Sequence, residues 1–162
     1  MSDNDYLRAA LAVARRESQD PRTQTGAVLR IGGSQYEAAN RAPGGIELPN
    51  HVLQSDLKYD YIEHAERAVI FQAASGVFEA GGFAHATLYA PWFACPDCAR
   101  AIVGVGIREV VGLASLRAMT PPRWERSVAM GEEILERAGV SMRWACGMVG
   151  EKITFNGKEV LL

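Results

Sequence analysis

Two short apolar strands with a helix between them are the strongest constraint on the fold of this chain. The sequence predicts strands at Ala86–Ala90 and Glu109–Leu113, and a helix at Cys95–Val103 between them. Pro91 ends the first strand. Strands that are joined through a helix in this way run parallel in one sheet. The chain is therefore expected to have an α/β fold.

The remaining segments supply further helices and strands. Hydrophobic periodicity predicts three more helices, at Asp5–Glu17, Ile62–Ser75 and Arg123–Ala138. Apolar segments bounded by turn residues predict three more strands, at Gly26–Ile31, Gln35–Asn40 and Val140–Trp144. The expected architecture therefore has about five main strands flanked by helices.

The connecting segments are also informative. Asn156-Gly157, a dipeptide typical of a hairpin turn, separates the strand segments Ile153–Phe155 and Glu159–Leu162. A C-terminal hairpin is therefore expected. Gly76–Gly82 is a predicted turn region. Residues 41–60 form a long irregular stretch with several Pro and Gly residues, and loops of this length are usually functional or mobile.

Length and composition limit what the chain can be. Its 162 residues suit one domain, residues 1–162, and 48% hydrophobic with 22% charged residues excludes a disordered chain. No apolar stretch is long enough for a membrane span, and the acidic start Met1–Asp5 is unlike a secretory signal, so a cytoplasmic protein is expected. The net charge of −2 gives no bulk attraction for nucleic acid. Fourteen of the 17 basic residues are arginine, which suits phosphate contacts, although coding bias explains this equally simply.

The cysteine count points to a metal site. The chain has three cysteines, an odd number that cannot be fully paired, so a disulfide framework is not expected. Cys95 and Cys98 lie one helical turn apart at the start of a predicted helix, where thiolates are favoured. His64 lies at the start of another helix. One imidazole and two thiolates are zinc ligands, and three of them leave the fourth position open for water, as in catalytic zinc sites.

Glu66 adds the chemistry of proton transfer to this set. It follows His64 by two residues, on the same helical turn. A carboxylate beside metal-activated water can take a proton from that water and later return it to the substrate. The sequence therefore predicts Glu66 as the catalytic acid and base.

Other interpretations of these residues remain open. A C-x-x-C pair after a strand and at the start of a helix is also typical of thioredoxin-like redox proteins. A zinc scaffold without activity is a further alternative, and Glu66 discriminates against it because a purely structural site has no use for a carboxylate. His51 and Cys146 could close the zinc site as a fourth ligand, but neither lies in a ligand-like pair. Cys146 is expected to be a buried or half-buried thiol.

The chain resembles a known family. His64-Ala65-Glu66 together with Cys95-Pro96-Asp97-Cys98 is similar to the signature of zinc-dependent cytidine and deoxycytidylate (dCMP) deaminases, in particular phage and bacterial members. The resemblance covers roughly residues 5 to 145. It continues in further segments, namely Ser18–Pro21, Gln24–Val28, Asn40–Gly45, Lys58–Glu63, Ala86–Tyr89, Arg123-Trp124 and Glu136–Val140.

The resemblance implies a fold and a reaction. The fold would be the three-layer α/β/α arrangement of cytidine deaminases, with a mixed sheet of about five strands. His64, Cys95 and Cys98 would hold Zn²⁺, and Glu66 would shuttle the proton. The reaction would be hydrolytic deamination of a small cytosine nucleotide, dCMP to dUMP, in which water attacks C4 and ammonia leaves. The family also implies a homo-oligomer whose subunits complete each other's pockets.

The resemblance also implies contacts with the substrate. The backbone N–H of Ala65 would contact the base carbonyl, and the backbone carbonyl of Ala94 would accept a hydrogen bond from the departing amino group. Asn40 would bind the base or the sugar. Trp92 and Phe93 lie shortly before the cysteine pair. Their rings could stack on a base, or they could pack under a neighbouring loop or a partner subunit.

The chain departs from the family pattern at three positions. Ala94 stands where the family usually has Pro, and Ala68 where dCMP deaminases usually have Asn. Arg41 replaces the Gly of a loop that binds regulatory dCTP in many dCMP deaminases, so it could block that site or contact a phosphate. Arg22 is a second candidate for the phosphate. These departures keep other substrates open: a free nucleobase, a nucleoside, a modified nucleotide or a tRNA adenosine, the last of which the net charge disfavours.

Overall fold

A five-stranded mixed sheet forms the centre of the molecule. The structure is a computed structural model, and it describes residues 1–77 and 82–162. The strands are β1 (Gly26–Ile31), β2 (Ser34–Ala39), β3 (Ala86–Tyr89), β4 (Glu109–Leu113) and β5 (Ser141–Ala145), and they lie in the order β2-β1-β3-β4-β5. Strand β1 is antiparallel to β2 and β3, whereas β3, β4 and β5 are parallel to one another. The predicted strand–helix–strand unit is therefore confirmed.

The helices cover both faces of the sheet. They are α1 (Asp3–Glu17), α2 (Asn50–Leu53), α3 (Ala65–Val77), α4 (Pro96–Val105), α5 (Ala114–Ala118) and α6 (Pro122–Arg137). Alternate strand residues point to opposite faces, so Ala27 and Leu29 pack with α3 and α4, whereas Val28 packs with α1. This is the three-layer α/β/α arrangement that the resemblance implied.

The C-terminal hairpin is present. Strands β6 (Lys152–Phe155) and β7 (Lys158–Leu161) pair with each other and form no ladder with the central sheet. Asn156 and Gly157 both have positive φ, 50° and 76°, as a two-residue turn of this kind requires. Phe155 is buried in the cluster on the α1 face of the sheet.

Some element bounds differ from the predicted ones. Helix α3 begins at Ala65 rather than Ile62, because Glu63 pairs through its backbone with Arg41 and keeps the chain extended. The short helix α5 was not predicted, since five residues are too few to show a helical period. The predicted turn at Gly76–Gly82 falls largely on residues 78–81, which lie outside the described residues.

Residues 41–60 hold short turns and a buried charge. The segment contains α2 and two short 3₁₀ helices, at Pro43–Gly45 and Asp56–Asp60. Lys58 is fully buried, and its Nζ donates to Asp20 Oδ1 at 2.7 Å. Asp20 is also buried, and its Oδ1 accepts from the backbone N–H groups of Arg22 and Thr23. The Lys58–Asp20 ion pair thus links the irregular segment, residues 41–60, to the segment that precedes β1.

Among the helices of the described segments, none is both long and apolar enough to cross a bilayer.

Replacement of the buried lysine tests the importance of this ion pair. Lys58→Met leaves the Asp20 carboxylate buried without its cation, so the free energy of unfolding should fall by about 3–5 kcal/mol in a urea titration. Lys152→Met is the matched control, because the Lys152–Glu159 pair is exposed and should contribute less than about 1 kcal/mol. Equal losses in the two variants would contradict the assigned role of Lys58.

Candidate active site

Three ligand atoms from distant parts of the chain meet at one point. His64 Nδ1 lies 3.4 Å from Cys95 Sγ and 3.5 Å from Cys98 Sγ, and all three ligand atoms lie within 4.8 Å of one another. A tetrahedral zinc ion with sulfur at about 2.3 Å and nitrogen at about 2.0 Å would hold such S···N pairs about 3.5 Å apart. The residues therefore fit a zinc ion, and the ligand set predicted from the sequence comes together.

The fold presents these ligands at the starts of two helices. The carbonyl oxygen of His64 accepts the first hydrogen bond of α3 from Ala68, so His64 occupies the N-cap position of that helix. Cys95 is the N-cap residue of α4, and Pro96 begins the helix with a backbone that needs no N–H partner. Both helix N-termini direct positive potential towards the ligands, which favours thiolates and anionic ligands.

The protonation of the ligand groups reflects their mutual contacts. Hydrogen bonding by Cys98 lowers the pKa of Cys95 to about 4. Hydrogen bonding by His64 and its charge lower this pKa as well, whereas burial opposes the decrease. The hydrogen bond between the two cysteines and burial raise the pKa of Cys98. Hydrogen bonding to Cys95 raises the pKa of His64 to about 9. The cluster therefore stabilises at least one thiolate next to the imidazole, as a metal site needs.

Glu66 lies beside the ligands and is almost fully buried. Burial raises its pKa above the ordinary value for a glutamate, against the opposing effect of the neighbouring His64. A glutamate with a raised pKa both accepts and releases protons nearer to neutral pH, which is what a general acid and base requires. Glu66 also lines the same cavity as His64 and Cys95. The structure thus supports the predicted placement of Glu66.

A cavity opens from the ligand cluster, with a polar wall on one side. Asn40 lines this wall and is 6% exposed. Its Oδ1 accepts hydrogen bonds from Ser18 Oγ and the Thr25 N–H, and its Nδ2 donates to the Thr23 carbonyl oxygen. These bonds fix the orientation of the amide and leave the second N–H of Nδ2 for a ligand.

Aromatic side chains also line the cavity. Trp92 lines the cavity, donates from Nε1 to Thr120 Oγ1 at 3.0 Å and meets the ring of Phe155 edge-on. Phe93 is buried and stacks on Trp144, with ring centroids 4.5 Å apart. Both Trp92 and Phe93 therefore line the cavity, and Phe93 is in addition packed against Trp144 in the core.

The turn before the cysteines is packed closely against α6. Ala94 lines the cavity, and a Cβ added at Gly131 would lie only 1.8 Å from the Ala94 carbonyl oxygen and 3.2 Å from the Cys95 carbonyl carbon. Gly131 therefore permits a contact that no other residue would allow. Ala65 is the first residue of α3 and is buried, so its backbone N–H belongs to the unpaired group at the helix start.

Several predicted residues lie outside the cavity wall. Arg22 is exposed, and Arg41 lies 3.9 Å from Glu17 rather than at the cavity. His51 and Cys146 are both exposed and are not part of the ligand cluster. The expectation that Cys146 is a buried or half-buried thiol is therefore wrong, because this residue follows β5 and is exposed.

The sequence did not indicate all of the cavity wall. Trp124 and Val128, predicted as inward-facing residues of α6, line the cavity, and so do Asp20 and Tyr59. The four-residue spacing of Trp124 and Val128 shows that they share a helix face. It cannot show whether a packed core or a cavity lies opposite that face. Asp20 and Tyr59 lie in segments that resemble the family, but no local pattern indicated that their side chains line a cavity.

Comparison with known proteins identifies the family. Residues 1–114 match the family model for the cytidine and deoxycytidylate deaminase zinc-binding region. A deoxycytidylate deaminase of Mus musculus is 30% identical over 118 residues, covering 66% of this chain and 62% of the relative. A probable deoxycytidylate deaminase of Drosophila melanogaster is 27% identical, covering 73% of this chain and 62% of the relative. The chain thus spans about 62% of the length of these relatives.

Solved structures agree with the fold. The dCMP deaminase of cyanophage S-TIM5, crystallised with dCMP and dUMP, superimposes with a TM-score of 0.66 at 19% identity. The match covers 87% of this chain and 94% of that one. At this level of identity the similarity supports the fold, and the chemistry rests on the residues described above.

The packing of Gly131 yields a test of the site. In Gly131→Ala the new methyl group would push the Ala94–Cys95 turn away from α6, so zinc affinity should fall at least about tenfold in a competition assay with a chromophoric chelator. Gly104→Ala is the control, since nothing lies within 4 Å of a Cβ at this position of α4. Unchanged zinc affinity in Gly131→Ala would show that α6 does not position Cys95.

Proposed function

Because this chain belongs to the family of zinc-dependent cytidine and deoxycytidylate deaminases, we propose that it catalyses the hydrolytic deamination of dCMP to dUMP, with release of ammonia. One observation carries the proposal: Glu66, with a raised pKa, shares a cavity with the zinc ligands His64 and Cys95. The open fourth position that three ligands leave belongs to a catalytic site rather than to a structural one.

The reaction needs an activated water and a group that moves protons. A zinc ion bound by His64, Cys95 and Cys98 supplies the Lewis acidity that activates water. Glu66 accepts a proton from the water that attacks C4 and delivers protons to the pyrimidine and its leaving amino group. The C4–O bond forms, the C4–N bond breaks, and water plus dCMP gives dUMP plus ammonia. Burial of Glu66 raises its pKa, which keeps a proton available for this transfer.

The remaining cavity residues are proposed to position the nucleotide. The second N–H of Asn40 donates to the base or the sugar. The backbone N–H of Ala65 contacts the base carbonyl, and the carbonyl of Ala94, held against Gly131, accepts from the departing amino group. Trp92 offers a ring face beside the base.

A second candidate function is deamination of the nucleoside, deoxycytidine. The cavity wall described in the structure contains two carboxylates, those of Asp20 and Glu66, but no Lys or Arg side chain. A substrate without a phosphate would meet no unfavourable charge there. Comparison of dCMP and deoxycytidine as substrates therefore decides between the two candidates.

The assembly and location of the protein are further proposals. We expect a homo-oligomer, since α3 exposes Phe71 to 60%, and Leu57 and Tyr61, which precede α3 in the sequence, are 55% and 50% exposed. We also propose that residues 1–162 act as one deaminase domain, because the hairpin packs into the core cluster of α1. A reducing compartment such as the cytoplasm suits the two cysteine ligands, which bind zinc as free thiolates.

Replacement of the proposed acid and base tests the reaction. Glu66→Gln keeps the size of the side chain and removes its proton transfer, so kcat for dCMP should fall by about 10²–10⁴-fold while the zinc content is retained. Ammonia release from dCMP, dCTP, deoxycytidine, cytosine and guanine gives the activity, and metal analysis gives the zinc content. Glu136→Gln, an exposed residue near the end of α6, is the control and should behave as the wild type.

Two outcomes would contradict the proposal. Wild-type protein that releases no ammonia from any cytosine compound is not a cytosine deaminase. Full activity of Glu66→Gln would assign the proton transfer to another group.

A further inference from the structure

We propose, on the basis of the proposed function, that Arg22 and Arg123 form a phosphate-binding rim at the mouth of the cavity, held there by the turn of the C-terminal hairpin. The rim would bind the 5′-phosphate of the nucleotide and so make dCMP a better substrate than deoxycytidine. The sequence indicated Arg22 as a candidate for the phosphate, whereas Arg123 and the hairpin turn lie outside the residues that match the family model.

The cavity itself cannot neutralise a phosphate. The basic groups of its described wall are limited to the imidazole of His64, which is a zinc ligand. Lys58 is the nearest buried ammonium group, but it is fully buried and bonded to Asp20, so it has no access to the cavity. A doubly charged phosphate therefore has to find its cations at the mouth.

Each of the two arginines contacts a residue that lines the cavity. Tyr59 and Trp124 line the cavity and meet edge-on, with ring centroids 5.8 Å apart. The guanidinium carbon of Arg123 lies 5.8 Å from the centroid of the Trp124 ring. The backbone N–H of Arg22 donates to Oδ1 of Asp20, another residue of the cavity wall, at 2.8 Å. Both arginines therefore adjoin residues that line the cavity.

The electrostatics of Tyr59 agree with this placement. Burial raises the pKa of Tyr59, and the charge of Asp20 adds to the increase. The positive charges of Arg123 and Arg22 oppose it, so both guanidinium groups lie within electrostatic reach of the same phenol.

The hairpin turn holds both arginines. Arg123 Nη2 donates to the side-chain Oδ1 of Asn156 at 3.0 Å, and the backbone N–H of Gly157 donates to the carbonyl oxygen of Arg22 at 2.8 Å. The position of the hairpin turn is itself fixed, because Phe155, which precedes the turn, is buried against Trp92. Adjacent residues of one rigid turn thus set the position of two arginines from distant parts of the chain.

Both guanidinium groups keep donors for a ligand. Arg22 and Arg123 are exposed, and the side chain of Arg22 makes one long contact, 3.4 Å from Nη2 to the Gln54 carbonyl oxygen. An arginine has five N–H donors, of which these contacts use one each. Arg41 is less suited, since its guanidinium lies beside the carboxylate of Glu17, 3.9 Å away.

Steady-state kinetics with dCMP and deoxycytidine test the rim. Arg22→Gln and Arg123→Gln should each raise KM for dCMP about tenfold or more, as expected for loss of a charge-assisted contact, and should leave kcat/KM for deoxycytidine unchanged. Arg137→Gln is the control, since this residue lies at the far end of α6, paired with Glu133, and should leave both substrates unaffected. Urea midpoints equal to that of the wild type would show that the variants fold normally.

Asn156→Gly tests the role of the turn separately. Glycine keeps the positive φ of this position and removes only the side-chain acceptor for Arg123. We expect a several-fold increase in KM for dCMP and unchanged kinetics with deoxycytidine.

The outcomes separate this inference from the proposed function. No deamination of any cytosine compound by the wild type contradicts the proposed function itself. Deamination of dCMP with an unchanged KM in Arg22→Gln and Arg123→Gln contradicts the rim alone. Equal losses on dCMP and deoxycytidine, or a wild type that prefers deoxycytidine, also contradict the rim, because a phosphate contact affects only the phosphorylated substrate.

Discussion

The convergence of one imidazole and two thiols is the constraint on which the rest of the structure depends. His64 and Cys95 are separated by 31 positions in the sequence, yet their ligand atoms lie 3.4 Å apart. The starts of the two helices lie close together for two reasons. Strand β3 leads directly into the turn before α4, and the backbone pairing of Arg41 with Glu63 fixes the position of the chain just before α3. An ion pair between Arg67 and Asp97, 3.5 Å apart, links the first turns of the two helices.

The cavity beside these ligands depends on contacts that reach across the chain. The close approach of Gly131 to Ala94 fixes the cysteine turn against α6. The buried pair of Lys58 and Asp20 holds the irregular segment that supplies Tyr59 to the cavity wall. The C-terminal hairpin contributes Phe155 beneath Trp92. The C-terminal hairpin thus supports the aromatic residues of the cavity wall, although the zinc ligands come from other segments of the chain.

The features that the sequence predicted correctly are those that depend on residues close together in the chain. The bounds of β4 were predicted without error, because a short, nearly continuous apolar segment between turns specifies a buried strand. The zinc ligands were predicted because two of them lie three residues apart and Glu66 follows His64 closely. The hairpin was predicted because Asn156-Gly157 accepts positive φ. In each case the decisive information lies within a few neighbouring residues.

Features that depend on distant pairing were not predicted. Lys58 and Asp20 are 38 positions apart, and neither carries a local signal for its buried partner. Helix α3 begins later than its periodicity indicates because Arg41 pairs with Glu63. Cys146 was expected to be buried on the general behaviour of free cysteines, yet it follows the end of β5, where the chain is exposed. Burial of a single residue depends on which neighbours the fold brings to it.

X-ray absorption at the zinc edge of the purified protein tests the central claim most directly. The structure predicts two sulfur ligands at about 2.3 Å together with two lighter ligands at about 2.0 Å, one from His64 and one from solvent. The light-atom shell should change when dUMP is added, because the open position faces the cavity. A third sulfur ligand, or protein without zinc and with Cys95 and Cys98 joined in a disulfide, would contradict a catalytic zinc site.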